Sequence, residues 1–64
     1  MRVAAAFYRL TIDLEPLFEN EITAVIDAAE DSRASILVTD RRCVLLFEQP
    51  ADRDAFRELW GGEP

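Results

Sequence analysis

The hydrophobic repeat of this chain switches from that of a strand to that of a helix and back, and few folds accommodate such an alternation. Residues 3 to 12 place Ala4, Ala6, Tyr8, Leu10 and Ile12 on one face and Val3, Ala5, Phe7, Arg9 and Thr11 on the other, the two-residue repeat of a strand. Leu14, Phe18, Ile22, Val25, Ile26 and Ala29 then recur at spacings of three and four, the stripe of an amphipathic helix. Asp13 reads as its N-cap. Pro16 falls in the expected first turn, where a missing N–H costs nothing. This helix is expected to run to about Asp31. Two β-rich runs follow, Ser35 to Thr39 and Cys43 to Phe47. The polar turn Asp40-Arg41-Arg42 joins them into a hairpin. Pro50 closes the last strand and opens a second helix over about residues 51 to 60. Its apolar face is expected to be Ala55, Phe56, Leu59 and Trp60. Gly61-Gly62 stops it, and the tail Glu63-Pro64 is expected to fray.

The expected order is therefore β-α-β-β-α, an α+β fold. A right-handed crossover through the first helix makes strands one and two parallel. Strand three fits between them and pairs antiparallel with both. The result is a three-stranded mixed sheet of order 1-3-2 with both helices on one face. The arrangement resembles a truncated ferredoxin-like half-sandwich that lacks its last strand. It leaves strand one as an open edge and the second sheet face bare, with Phe7 and some of Leu37, Val44 and Leu46 on it. A free edge and an uncovered apolar face suit an oligomer or a second interface, for which Phe7 and Leu37 are the candidate residues.

Nothing covalent is available to hold so short a chain. Its 64 residues make one domain, and a chain of that length buries only ~60% of its unfolded surface. Half the residues are hydrophobic, which argues for a folded core. Cys43 is the only cysteine, so no intrachain disulfide forms, in keeping with a reducing cytoplasm. With no histidine, a Cys/His zinc site is not available. Met1 to Arg9 resembles a signal peptide for only a few residues before Arg9 interrupts it, so none is expected. No apolar run approaches the ~20 residues needed to span a bilayer.

Charge is the main functional clue. Residues 13 to 31 hold Asp13, Glu15, Glu19, Glu21, Asp27, Glu30 and Asp31 and no basic residue. The net charge of −6 argues against direct contact with nucleic acid or an anionic membrane, because like charges repel. On the expected helix, positions 15, 19, 23, 27 and 31 form one exposed row of Glu, Glu, Thr, Asp and Asp. The row is about 24 Å long, with neighbours about 6 Å apart. That step is close to two phosphates of a DNA strand at about 3.4 Å each. Acids near a helix N-terminus are explained by the helix dipole, which accounts for Glu15 and Glu19. The dipole disfavours Asp27, Glu30 and Asp31 at the other end, and like charges four apart cost a few tenths of a kcal/mol each. The candidate partner-binding residues are thus Glu15, Glu19, Asp27, Glu30 and Asp31.

Other chemistry finds little support. The acids show no EF-hand spacing, so no metal is expected, and no cofactor-binding motif is present. An exposed row lacks the burial that general acid–base catalysis requires. Cys43 has no histidine to activate it and reads as a small buried hydrophobe. The arginines fall in two groups, Arg33, Arg41 and Arg42 near the hairpin and Arg53 and Arg57 on the second helix. They are expected to pair at the surface with Asp40, Asp54 and Glu58. Trp60 reads as core, with an interface anchor as the alternative. No catalytic residue is assigned and the chain does not read as an enzyme.

In size, acidity, helix stripe and lack of catalytic residues, the chain resembles the small phage-encoded anti-CRISPR proteins that act on type I systems. The resemblance carries no motif. It implies an inhibitor that binds a basic nucleic-acid-binding protein, such as the large subunit of a Cascade surveillance complex, and excludes target DNA as a DNA mimic. The alternative reading is a small homo-oligomeric accessory or regulatory domain that pairs through its open sheet, and the chain is expected to be a monomer or a weak homodimer.

Overall fold

A computed structural model describes residues 7–64. The elements are β1 (Tyr8–Asp13), α1 (Glu19–Asp31), β2 (Ser35–Val38), β3 (Arg42–Phe47) and α2 (Pro50–Trp60). The order β-α-β-β-α is the one the hydrophobic periods predict. The sheet runs β1-β3-β2. Tyr8 pairs with Phe47 through to Asp13 with Arg42, and Ser35 pairs with Leu46 through to Val38 with Cys43. β1 and β2 point the same way, but β3 separates them, so every hydrogen-bonded pair in the sheet is antiparallel. The part of the expected first strand before Phe7, including Val3, Ala4, Ala5 and Ala6, lies outside the described residues.

The pleat sorts the side chains. Leu10 and Ile12 of β1 and Cys43, Leu45 and Phe47 of β3 alternate onto the helical face and are buried. Leu14, Val25, Ala29 and Phe56 complete the core. Phe47 meets Phe56 with ring centroids 5.6 Å apart. The opposite face carries Arg9, Thr11, Leu37, Val44 and Leu46, and no helix covers it.

Two local expectations change. The segment after Ile12 is not yet helix: Asp13 ends β1 and its carboxylate accepts the Glu15 N–H at 3.0 Å, folding an Asx-type turn through Pro16. The helix starts six residues after Asp13. Phe18, expected in the buried stripe, is instead the N-cap residue and is 75% exposed. Leu14 does reach the core, delivered by the turn rather than by a helical face, and its N–H donates to the Arg41 carbonyl at 2.7 Å. The hairpin connection is also shifted by one residue, to Thr39-Asp40-Arg41, because β2 ends at Val38 and Arg42 already belongs to β3. Thr39 and Arg42 close it through the Thr39 N–H on the Arg42 carbonyl at 2.8 Å and the Arg42 N–H on the Thr39 hydroxyl at 3.3 Å.

The largest departure is at the C-terminus. Glu63 does not fray. It bridges to Thr11 on the outer edge of β1, with N–H to carbonyl bonds of 2.7 and 2.8 Å in the two directions. Gly61 and Gly62, with φ of 77° and 108°, turn the chain back from α2. A side chain at Gly62 would place its Cβ 2.8 Å from the Thr11 carbonyl oxygen, so the close approach depends on glycine.

Candidate partner-binding surfaces

Helix α1 is built to show its acids. Val25 and Ala29 are buried against the sheet and Ile22 and Ala28 pack beside them, so the rest of the circumference faces outward. The Glu21 carboxylate reaches back to accept the Phe18 N–H at 3.0 Å, half of a capping box. At the other end the Arg33 N–H donates to the Glu30 carbonyl at 3.0 Å and the Ala34 N–H to the Ala29 carbonyl at 3.1 Å. This is a Schellman closure with Arg33 in the left-handed conformation at φ 59°.

The structure brings four of the five candidate acids onto this helix. Glu19, Asp27, Glu30 and Asp31 are all exposed on α1. Glu15 is not among them, because it sits in the turn before the helix. The row therefore runs from Glu19 through Thr23 and Asp27 to Asp31, about 18 Å instead of the expected 24 Å. Thr23 does not interrupt it with a free hydroxyl: its Oγ1 donates to the Glu19 carbonyl at 3.1 Å. Glu30 lies three residues beyond Asp27, on the neighbouring ridge.

Electrostatic compensation within the fold is sparse. Among the described residues the one salt bridge joins Arg53 to Asp54 at 2.6 Å, so no arginine neutralises an acid of α1 at that range. The last turn of α1 contains no basic residue. Among the described residues no three acids or cysteines converge to hold a metal ion. Cys43 is fully buried in β3, and burial pushes its thiol above its ordinary range. It stays protonated at neutral pH, where a thiol is a poor nucleophile.

A second kind of surface is apolar. Phe7 is 48% exposed and precedes β1, and Leu37 is 63% exposed on β2. Register puts Leu37 beside Val44 on the bare sheet face, with Leu46 next along β3. Sequence reasoning missed a third region. Leu59 is 81% exposed instead of core, and Trp60 stacks on Phe56 by one side only, at 6.1 Å. Of helix α2 only Phe56 is buried, and Trp60 lies beside Ile12 and Asp13 of β1. A groove of about 360 Å³ opens there between the helices, with Ala28, Ala55 and Phe56 in its floor and Asp31 and Asp52 at its rim. The apolar count of α2 could not reveal this, since the width of the core decides how many of those residues it can bury. Among the described residues, no helix is long and apolar enough to cross a membrane.

No family model, curated protein or solved structure matches the chain.

Proposed function

We propose that this chain is a small acidic inhibitor that binds a basic nucleic-acid-binding protein and occludes its cationic site. The observation that carries the reading is the run of exposed, uncompensated carboxylates on α1 from Glu19 to Asp31. A helix optimised for its own stability places cations in its last turn. This one places Glu30 and Asp31 there. The arrangement lowers helix stability slightly and raises the negative potential of one face, which favours fast, salt-sensitive association with arginines and lysines. The partner class is a protein that normally holds a nucleic-acid backbone, with a type I CRISPR-Cas surveillance subunit as the first candidate. Glu19, Asp27 and Asp31 stand in for phosphates spaced along a backbone, and Glu30 broadens the charged face. Glu15 contributes from the adjoining turn rather than from the row itself. No catalytic step is involved, and inhibition is stoichiometric.

The test is a pull-down from bacterial lysate with the wild type and with a variant carrying Glu19→Gln, Asp27→Gln and Asp31→Gln. A captured nucleic-acid-binding protein should be absent from the variant and eluted by salt. Purified, it should lose bound DNA when the wild type is added. Equal capture by both baits, or a captured protein that keeps its DNA, sinks the reading.

A second reading, a homo-oligomeric accessory domain, draws on the exposed Phe7 and Leu37. It requires the bare sheet face to be covered by another copy, and charging Phe7 should then abolish the oligomer.

A further inference from the structure

Among the described residues, nothing pairs with the backbone groups on the outer edge of β2. The Thr39 N–H bonds inward to the Arg42 carbonyl. Strand alternation then turns Ser35 and Leu37 inward, toward Leu46 and Val44, and Ile36 and Val38 outward. Among the described residues no backbone hydrogen bond reaches those outward groups of Ile36 and Val38. The strand reads Ser35-Ile36-Leu37-Val38, with no charge, proline or bulge to discourage pairing.

We infer that β2 pairs with β2 of a second copy, antiparallel across a two-fold axis at Leu37. The edge is self-complementary in that register. Ile36 of each copy lies opposite Val38 of the other and exchanges N–H to carbonyl bonds with it, so both outward residues of both copies are satisfied. The two Leu37 residues meet as a non-hydrogen-bonded pair, where Cα atoms approach to about 4.5 Å. Each is 63% exposed in the single copy, and each covers the other on the bare sheet face. Val38, 48% exposed, comes beside Ile36 of the other copy on the helical face. The two three-stranded sheets become one continuous sheet, the isologous form of strand addition.

Size sets the strength. Stable interfaces cover about 800 Å² per partner, and a four-residue edge offers less than that. Helix α1 also packs over β2, so the two acidic helices come alongside each other. The dimer is therefore weak, and added salt strengthens it by screening the helices. Ion-pair binding to a basic partner responds in the opposite sense, so the two interfaces are separable by salt alone.

Sedimentation equilibrium of the full chain at rising concentration and salt tests the inference, together with amide chemical shifts and hydrogen exchange. The expected result is a salt-strengthened dimer in which the Ile36 and Val38 amides shift and exchange more slowly as concentration rises. Val38→Pro removes an outward N–H and leaves the β2–β3 ladder whole, as proline does on an edge strand. It should weaken association at least about tenfold with an unchanged circular dichroism spectrum. If that variant does not fold, Leu37→Lys places two like charges at the two-fold axis and should do the same. A chain that stays monomeric to about 1 mM overturns the inference. So does a dimer that survives both variants, or one whose shifts centre on Phe7 and Val44 instead of on the β2 amides.

Discussion

The two halves of the molecule are finished differently. In the half built on β1 and α2, the strand edge is closed: Glu63 takes both backbone groups of Thr11, and the Arg53 guanidinium donates to the Arg9 carbonyl at 3.4 Å. Arg53 also lies 6.0 Å from the Tyr8 ring centroid. Helix α2 follows its dipole, with Asp52 in the first turn and Arg57 in the last. In the half built on β2 and α1, the edge carries no such strap among the described residues, and the helix ends in acids. Thr11 and the Arg9 carbonyl on the β1 edge have partners, whereas among the described residues the outward groups of Ile36 and Val38 and the carboxylates of Asp27, Glu30 and Asp31 have none. Local features that do not serve the fold concentrate where function is expected. By that criterion we propose the β2–α1 half as the working side, held in place by the β1–α2 half.

β3 is shared by both halves, so damage to it should erase the difference. Phe47 is 1% exposed and packs on Phe56. Phe47→Ala should cost about 3–5 kcal/mol, enough to unfold a domain of this size. Loss of the cooperative thermal transition checks it. A variant that kept its fold would show that one half stands without the common strand.

The next effect falls on the closed half alone. Gly62→Val combines a φ of 108° with a Cβ 2.8 Å from the Thr11 carbonyl oxygen. It should dislodge the tail and cost about 2 kcal/mol. Amide exchange should rise at Thr11 and Glu63 while Leu37 and Val44 stay unchanged. If exchange rose equally in both halves, the tail would be stabilising the whole sheet rather than one edge.

These positions also mark how far the sequence could be read. The element order and the buried faces of β1 and β3 were legible, because Leu10 with Ile12 and Cys43 with Leu45 and Phe47 alternate in step with the pleat. The acids of α1 were legible because helical spacing is local. The helix start was not: Asp13 and Pro16 fit an N-cap and first turn as well as they fit the Asx turn that forms. Strand β1 decided between them by continuing to Asp13. The tail was illegible for a different reason. Gly61-Gly62 permits a stop and a reversal equally, and the choice depends on Thr11, some fifty residues away. The candidate acids therefore stood apart from Glu15, and the open edge expected on β1 is found on β2.

A smaller change should favour the working half over the fold's present balance. Asp31→Lys puts a cation in the last turn of α1 and four residues after Asp27, replacing a repulsive pair by an attractive one. Together with the dipole this should add about 0.5–1 kcal/mol in chemical denaturation at low salt. The same substitution should weaken capture of a basic partner. Stability and binding moving in opposite directions is the signature of charge retained for contact. A gain in both would mean that Asp31 takes no part in the interface.

The smallest effect is expected on the bare face of β2. Leu37 is 63% exposed and makes its pairing to Val44 through the backbone, so its side chain contributes little to the single copy. Leu37→Thr keeps a strand-favouring residue there. Measured at a concentration where the chain is monomeric, it should change unfolding free energy by no more than about 0.5 kcal/mol. At high concentration it should still lower the amount of dimer, because the Leu37 pair lies on the two-fold axis. A loss above about 1 kcal/mol in the monomer would place Leu37 in the service of the fold. The contrast between a self-satisfied half and an outward-facing one would then narrow to α1 alone.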